Sequence, residues 1–287
     1  MKHNLRTIQA LSAKNEILTW LTCYDYSFAS ILEETSIDLI LVGDSGGMLL
    51  LGYEDTVPVT MDEMLLMCKA VRRGAPNKFI IGDMPKGSYE ISNEIAIINA
   101  MRFVKEAGCD AIKLEGGLEV VDRVTAIKQS GIPVFGHIGL TPQTSNSLGG
   151  YRVIGRTTSE EKELQNNAKA LEQAGVFAIL VEAVPPEVAN KIKSSIKCLT
   201  FGIGAGPHVH GQLLILHDVL GLYSSFRPKF AKSFITDVIN NYFHEYAELV
   251  KDFKTDGIRH LSKMAINEFI KKTRNREFPD AEHSYTE

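Results

Sequence analysis

Asp44, Asp83, the pair Lys113 and Glu115, His137 and Glu182 each close a short apolar run, in LILVGD, FIIGD, AIKLE, VFGH and AILVE. An ionised side chain at the rim of an apolar core costs several kcal/mol, roughly, unless it is paired or binds a metal. Repeated endings of this kind ask for one shared site. Asp44, Asp83 and Glu115 would offer three hard oxygen donors, a set that suits magnesium, which takes a few carboxylates and fills its shell with water and substrate oxygens. The Cys and His ligands that zinc prefers are missing from it. Lys113 stands two residues before Glu115, so both point to one side of a strand. It reads either as a clamp for a carboxylate or enolate oxygen or as an internal partner of Asp83. His137 reads as a hydrogen-bond donor to substrate, and Glu182 as a spare carboxylate, either a base or a salt-bridge partner. A magnesium ion, a cationic side chain and a free carboxylate together suit the enolisation of a 2-oxo acid. Asp25, which ends LTCYD, joins the set as a rim acid or as a helix N-cap.

The elements that would bring these residues together repeat along the chain. EILTWLTCYD, IDLILVGDS, KFIIGDMP, DAIKLEGG, IPVFGHIGL, FAILVEAVP and LTFGIGAG are strand-like runs separated by stretches with helical spacing. KEAGCDAI and LEQAGVFAI place a glycine where a helix stops before the next strand. Near-continuous apolar strands alternating with helices predict a parallel sheet covered on both faces. Seven units, with an eighth expected near PKFAKSF, predict an α/β fold of the (β/α)8 TIM-barrel type in 287 residues. The first strand is not followed by G-x-G-x-x-G, which disfavours a doubly wound dinucleotide-binding sheet. No low-complexity linker divides the chain, so residues 1–287 read as one domain, with helices and a tail over roughly 236–287.

Composition narrows the partners. A net charge of −4 with scattered basic residues gives no electrostatic reason for nucleic acid or an anionic membrane as partner. No apolar segment approaches the roughly 20 residues of a membrane span, and MKHNLRTIQALSAKNE lacks the apolar stretch of a signal peptide. Cys23, Cys68, Cys109 and Cys198 form no C-x-x-C pair, which fits a reducing cytoplasm.

VGDSGGMLLLGYEDTVPVTMDEM, GDMPKGSYE, IKLEGG, GHIGLTPQ, GGYRVIGR, LVEAVP, GIGAG, GQLLILHD and FPDAEHSY, in this order along nearly the whole chain, resemble the ketopantoate hydroxymethyltransferase family. The resemblance implies a barrel of the phosphoenolpyruvate/pyruvate type and a homo-oligomer, often a decamer. It implies transfer of a one-carbon unit from 5,10-methylenetetrahydrofolate to 3-methyl-2-oxobutanoate, giving 2-dehydropantoate for pantothenate and coenzyme A synthesis. By the same resemblance Asp44, Asp83 and Glu115 surround Mg2+, and Asp44, Ser45, Asp83 and Lys113 hold the 2-oxo acid. His137 lies close to the reacting centre. Glu182 takes the proton next to the ketone, and the magnesium-stabilised enolate attacks the folate-derived methylene carbon.

Three positions depart from the family pattern: Gly46 replaces a larger apolar residue, Lys86 a phenylalanine, and His210 an aspartate before GQ. These leave open a paralogue acting on another 2-oxo acid. A magnesium-dependent lyase or mutase of the same superfamily is a second alternative, disfavoured because its K-K-C-G-H-like loop is missing. A non-catalytic barrel is the third. The C-terminal stretches HEYAELVKDFKTDG and HLSKMAINEFIKKTRN carry apolar stripes that suit either packing on the barrel or a subunit contact.

Overall fold

The computed structural model describes residues 4–14, 16–145, 149–223, 228–241 and 257–285. Eight parallel strands close into a barrel in sequence order. They are β1 (Leu18–Thr22), β2 (Leu39–Val42), β3 (Phe79–Asp83), β4 (Ala111–Glu115), β5 (Val134–Gly139), β6 (Ala178–Glu182), β7 (Leu199–Ile203) and β8 (Gly211–Leu214). Nearly every strand residue is buried, as strands covered on both faces require. The barrel closes where Leu18 to Leu21 pair with Gly211 to Leu214.

Seven of these strands fall in the runs expected from sequence. The eighth does not: it is GQLL, while PKFAKSF forms a turn that leads into a helical segment over 234–241. GQLL lacks an apolar start, because Gln212 is buried and spends its amide on the Gly206 carbonyl at 2.9 Å.

The outer helices are α2 (Tyr26–Glu33), α4 (Met61–Gly74), α5 (Asn93–Ala107), α6 (Val121–Gln129), α7 (Thr158–Ala174) and α8 (Pro186–Ser195), joined by α1 (Leu5–Ala13) and two short helices, α3 (Gly46–Leu49) and α9 (Leu216–Val219). Local chemistry sets their ends. Thr60 with Glu63 and Thr157 with Glu160 form capping boxes on α4 and α7. Gly108 and Gly175 close α5 and α7 in the left-handed conformation. After the 234–241 segment (α10), α11 (Gly257–Arg274) turns Ala265, Ile266, Phe269 and Ile270 inward, packing against β1, α2 and α9. Its sequence stripe therefore serves packing on the barrel. The other stripe, HEYAELVKDFKTDG, lies outside the described residues apart from Gly257.

An aromatic floor fills the lower barrel. Trp20 lies 4.6 Å from Phe135 and 5.4 Å from Phe201 between ring centroids. Burying a large apolar side chain is worth about 1.5–3 kcal/mol, and such ring pairs add about 0.5–1.5 kcal/mol. Gly211 leaves the space: a Cβ there would stand 2.5 Å from Phe201. Asp83, Lys113, Glu115 and Glu182 lie at or near the carboxyl ends of their strands, beyond these rings.

Candidate active site

Strand register builds the site. Asp83 pairs with Lys113, Glu115 with His137, and Gly139 with Glu182. Because side chains two residues apart on a strand share a face, the contacts form a chain. Lys113 Nζ lies 2.8 Å from Asp83 Oδ1 and 3.3 Å from Glu115 Oε1. His137 Nδ1 lies 3.3 Å from Glu115 Oε1, and its Nε2 lies 3.1 Å from Glu182 Oε2, close but poorly aligned for a hydrogen bond. Gly139 is needed here, since a Cβ would stand 2.2 Å from the Glu182 carbonyl oxygen. Ala183 follows Glu182 at a φ of +47°, a costly angle for a non-glycine residue, and one that fixes how the strand ends.

Asp44 enters from the loop after β2, and its main-chain N–H donates to Asp83 Oδ2 at 3.2 Å. Ser45 lies beside it, with its hydroxyl 2.8 Å from the Tyr24 hydroxyl. All seven residues singled out in the sequence (Asp44, Ser45, Asp83, Lys113, Glu115, His137 and Glu182) line one cavity of roughly 350 Å3. Asp25 is not among its lining residues. Its Oδ1 accepts from the Phe28 N–H at 3.0 Å, so this acid is the N-cap of α2.

The electrostatics are unbalanced. Burial pushes the Asp44 carboxyl well above the usual carboxylate range, Asp83 and Glu115 push it further, and Lys113 and Gln143 recover only part. Asp83 is raised by burial and Glu115 against the pull of Lys113. For Glu115 burial acts upward too, but Lys113, His137 and the Gln143 N–H outweigh it and hold the carboxyl at about 2. His137 loses affinity for its proton to burial and Lys113, yet Glu115 and Glu182 outweigh both and bring it to about 9. Burial opposes the Lys113 charge as well, and Asp83, Glu115 and Asp44 keep it. With every acid ionised, the four carboxylates of this cluster face two cations, a formal shortfall of two positive charges that Asp218 and Arg152, which also line the cavity with one charge of each sign, leave unchanged. Two hard aspartates, a third carboxylate and that shortfall fit one magnesium ion. Among the described residues no three His, Cys, Asp or Glu side chains form a ready-made metal cluster. Lys113 lies between Asp83 and Glu115, and both Glu115 oxygens already accept hydrogen bonds or charge contacts.

Sequence reasoning missed Gln143 and Tyr89. Gln143 donates to Asp44 Oδ2 at 2.8 Å, and the Tyr89 hydroxyl donates to Gln143 Oε1 at 2.8 Å. Neither carries charge and neither ends a strand; their only signal was membership of the motifs GHIGLTPQ and GDMPKGSYE. The upper cavity wall, also missed, includes Met48, Leu49, Tyr151, Phe230 and Tyr285, the last from the C-terminal tail. Of the three departures, Lys86 pairs with Glu90 at 3.0 Å at the surface, and neither Lys86 nor His210 lines the cavity. Gly46 is packed closely, since a Cβ would stand 2.7 Å from the Met67 sulfur and 2.8 Å from the Tyr24 ring.

Fold and cavity define the class: a (β/α)8-barrel enzyme with an acidic site at the carboxyl ends of its strands. Among solved structures, the chain superimposes on a phosphoenolpyruvate phosphomutase from Streptomyces platensis subsp. rosaceus with a TM-score of 0.59 at 14% identity, covering 97% of this chain and 100% of that one. A phosphonopyruvate hydrolase in complex with oxalate and magnesium gives 0.56 at 12% identity, covering 87% and 88%. At such identities the likeness concerns the fold. Sequence goes further: the ketopantoate hydroxymethyltransferase family profile matches residues 2–255. The 3-methyl-2-oxobutanoate hydroxymethyltransferase of Heliobacterium modesticaldum is 47% identical over 253 residues, covering 86% of this chain and 92% of the relative. That of Desulfotalea psychrophila is 44% identical over 286 residues, covering 100% and 95%. The chain belongs to the ketopantoate hydroxymethyltransferase family.

Proposed function

We propose that the protein transfers a hydroxymethyl group from 5,10-methylenetetrahydrofolate to 3-methyl-2-oxobutanoate, consuming one water and giving 2-dehydropantoate and tetrahydrofolate. The observation that carries the reading is the arrangement of Glu182, His137, Lys113 and the acids around one cavity in a member of this family. Glu182, more exposed than the other acids of the cluster at 14%, is the base that removes the proton from C3. His137, whose Nε2 lies 3.1 Å from it, is the charged group placed beside its carboxylate. Lys113 supplies a fixed positive charge for the substrate's carboxylate or the oxygen that gains charge as C3 loses its proton. Ser45, braced by Tyr24, completes the grip on the 2-oxo acid together with Asp44 and Asp83. Asp44, Asp83 and Glu115 would hold Mg2+, which supplies Lewis-acid charge toward the keto and carboxyl oxygens. After proton loss, C3 bonds to the methylene carbon as one of that carbon's two bonds to folate nitrogens breaks. The consumed water supplies the hydroxyl oxygen to the same carbon as the second carbon–nitrogen bond breaks, and the C3 proton and a water proton end on the two freed nitrogens of tetrahydrofolate. The apolar and aromatic upper wall suits the flat ring of the cosubstrate.

The reading extends to a cytoplasmic homo-oligomer. Cys23, Cys68, Cys109 and Cys198 are unpaired, and no helix among the described residues is long and apolar enough to cross a membrane. Leu66 on α4 and Ile98 on α5 are exposed apolar side chains that support a subunit contact. The test is product formation from both substrates with magnesium, after chelation and after its return. Activity lost to chelator and regained with Mg2+ is expected. Undiminished turnover in chelator removes the metal, and preference for another 2-oxo acid removes the substrate assignment.

A further inference from the structure

We propose that Gln143 is a positioning residue: a neutral bridge that holds Asp44 and Glu115 in the geometry the metal and 2-oxo acid require. The proposal rests on the metal reading given above. Gln143 is 3% exposed and lies 99 residues from Asp44 and 28 from Glu115 in sequence. One side-chain N–H donates to Asp44 Oδ2 at 2.8 Å, and the other to the Met84 carbonyl at 2.9 Å. Its main-chain N–H donates to Glu115 Oε2 at 3.1 Å, and its Oε1 accepts from the Tyr89 hydroxyl at 2.8 Å. Two acceptors at Nε2 leave the amide a single orientation. The 3-10 turn Pro142–Thr144, closed by Thr144 N–H to the Thr141 carbonyl at 3.0 Å, aims the main-chain donor.

The chemistry explains why an amide stands here. Asp44 and Glu115 repel each other in a buried cluster, and a pair left without donors turns apart or takes up a proton. A lysine would pin them but would cancel the charge that attracts a divalent ion. An amide side chain gives Asp44 a donor without adding charge, while the main-chain N–H of the same residue serves Glu115. Tyr89 extends the brace, because its hydroxyl also reaches the Glu115 carbonyl at 3.1 Å. Arg123 fixes the Tyr89 main chain, donating to its carbonyl at 3.1 Å.

The test compares wild type with Gln143→Met, which keeps shape and the main-chain N–H to Glu115 but loses the side-chain donors to Asp44 and Met84, and with Tyr89→Phe, which loses one hydroxyl. Magnesium binding is read by calorimetry on each protein, with kcat and KM at rising Mg2+. A positioning role predicts Mg2+ affinity about 10–100-fold weaker in Gln143→Met and about fivefold weaker in Tyr89→Phe, with kcat recovering as Mg2+ is raised. A purely structural role would lower the melting temperature and leave Mg2+ affinity unchanged, which overturns the proposal. If Gln143→Met does not fold, the Tyr89→Phe affinity decides alone. Wild type that binds no Mg2+ defeats the metal reading itself; wild type and variants that bind equally defeat only the role of Gln143.

Discussion

Both ends of the barrel bury acids beside strands, yet they treat them in opposite ways. At the amino end, Asp38 Oδ2 accepts from the Thr19 N–H and hydroxyl, both at 2.8 Å, and Arg274 lies 3.2 Å from its other oxygen. Asp110 accepts from the Ile80 N–H at 3.0 Å and pairs with Arg72. Each acid there has its own donors and its own cation. At the carboxyl end, Asp44, Asp83, Glu115 and Glu182 share Lys113 and His137. A buried acid with a complete partner set ties strands together. A surplus of buried acids keeps a charge that a ligand must complete.

His210 clarifies the amino-end pattern. It stands before β8 as Asp38 stands before β2 and Asp110 before β4, and it does a carboxylate's work. The Thr200 N–H donates to its Nδ1 at 3.0 Å, and the Thr200 hydroxyl lies 2.9 Å from the same nitrogen. The departure from the family pattern therefore concerns strand pairing at the end away from the cavity.

Exchanging acids between the two classes should separate stability from activity. Asp44→Asn should cost at least about a hundredfold in kcat/KM, while the metal-free protein melts at or above wild type because a buried surplus charge is gone. Steady-state kinetics with a thermal melt in chelator checks both, and a large fall in melting temperature would place Asp44 in the other class. Asp38→Asn should do the reverse, losing about 1–3 kcal/mol of stability with near-normal kcat at a temperature where the variant is folded. Denaturant titration beside kinetics reads this, and a kcat collapse in folded protein would break the division.

His210 gives the smallest effect, visible in acid. Burial, and next the charge of Lys193, push its imidazole down to about 4 from an ordinary 6.5. Between those values the unfolded chain binds a proton that the folded one refuses, so wild-type stability falls as pH drops from about 6.5 to about 4. Above that window both states are neutral and the group contributes no pH dependence. His210→Asp should remove this slope, so melts of both proteins at pH 7 and pH 5 should diverge only at pH 5. Parallel curves would mean that His210 is not held neutral.

Seven strands and the acids at their ends were legible because a strand buried on both faces is written as an unbroken apolar run, so its polar ending stands out. Lys113 and Glu115 could be placed on one face from spacing alone. β8 was hidden because Gly211 and Gln212 interrupt the apolar pattern, and because Gly211 is chosen to make room for Phe201 rather than to favour a strand. Asp25 looked like the other endings but spends its carboxylate on α2. Gln143 and Tyr89 were beyond reach because their contacts join loops after β5 and β3, and neutral side chains leave no charge pattern to follow.

The central claim, that Glu182 removes a proton from a 2-oxo acid held at the acidic end of the barrel, is tested most directly by hydrogen exchange. 3-Methyl-2-oxobutanoate is incubated in deuterated water with enzyme and Mg2+, without folate, and the C3 proton is followed by NMR. Wild type should exchange it, and Glu182→Gln should exchange it about 10²–10⁴-fold more slowly. Equal exchange rates in the two proteins would contradict the account.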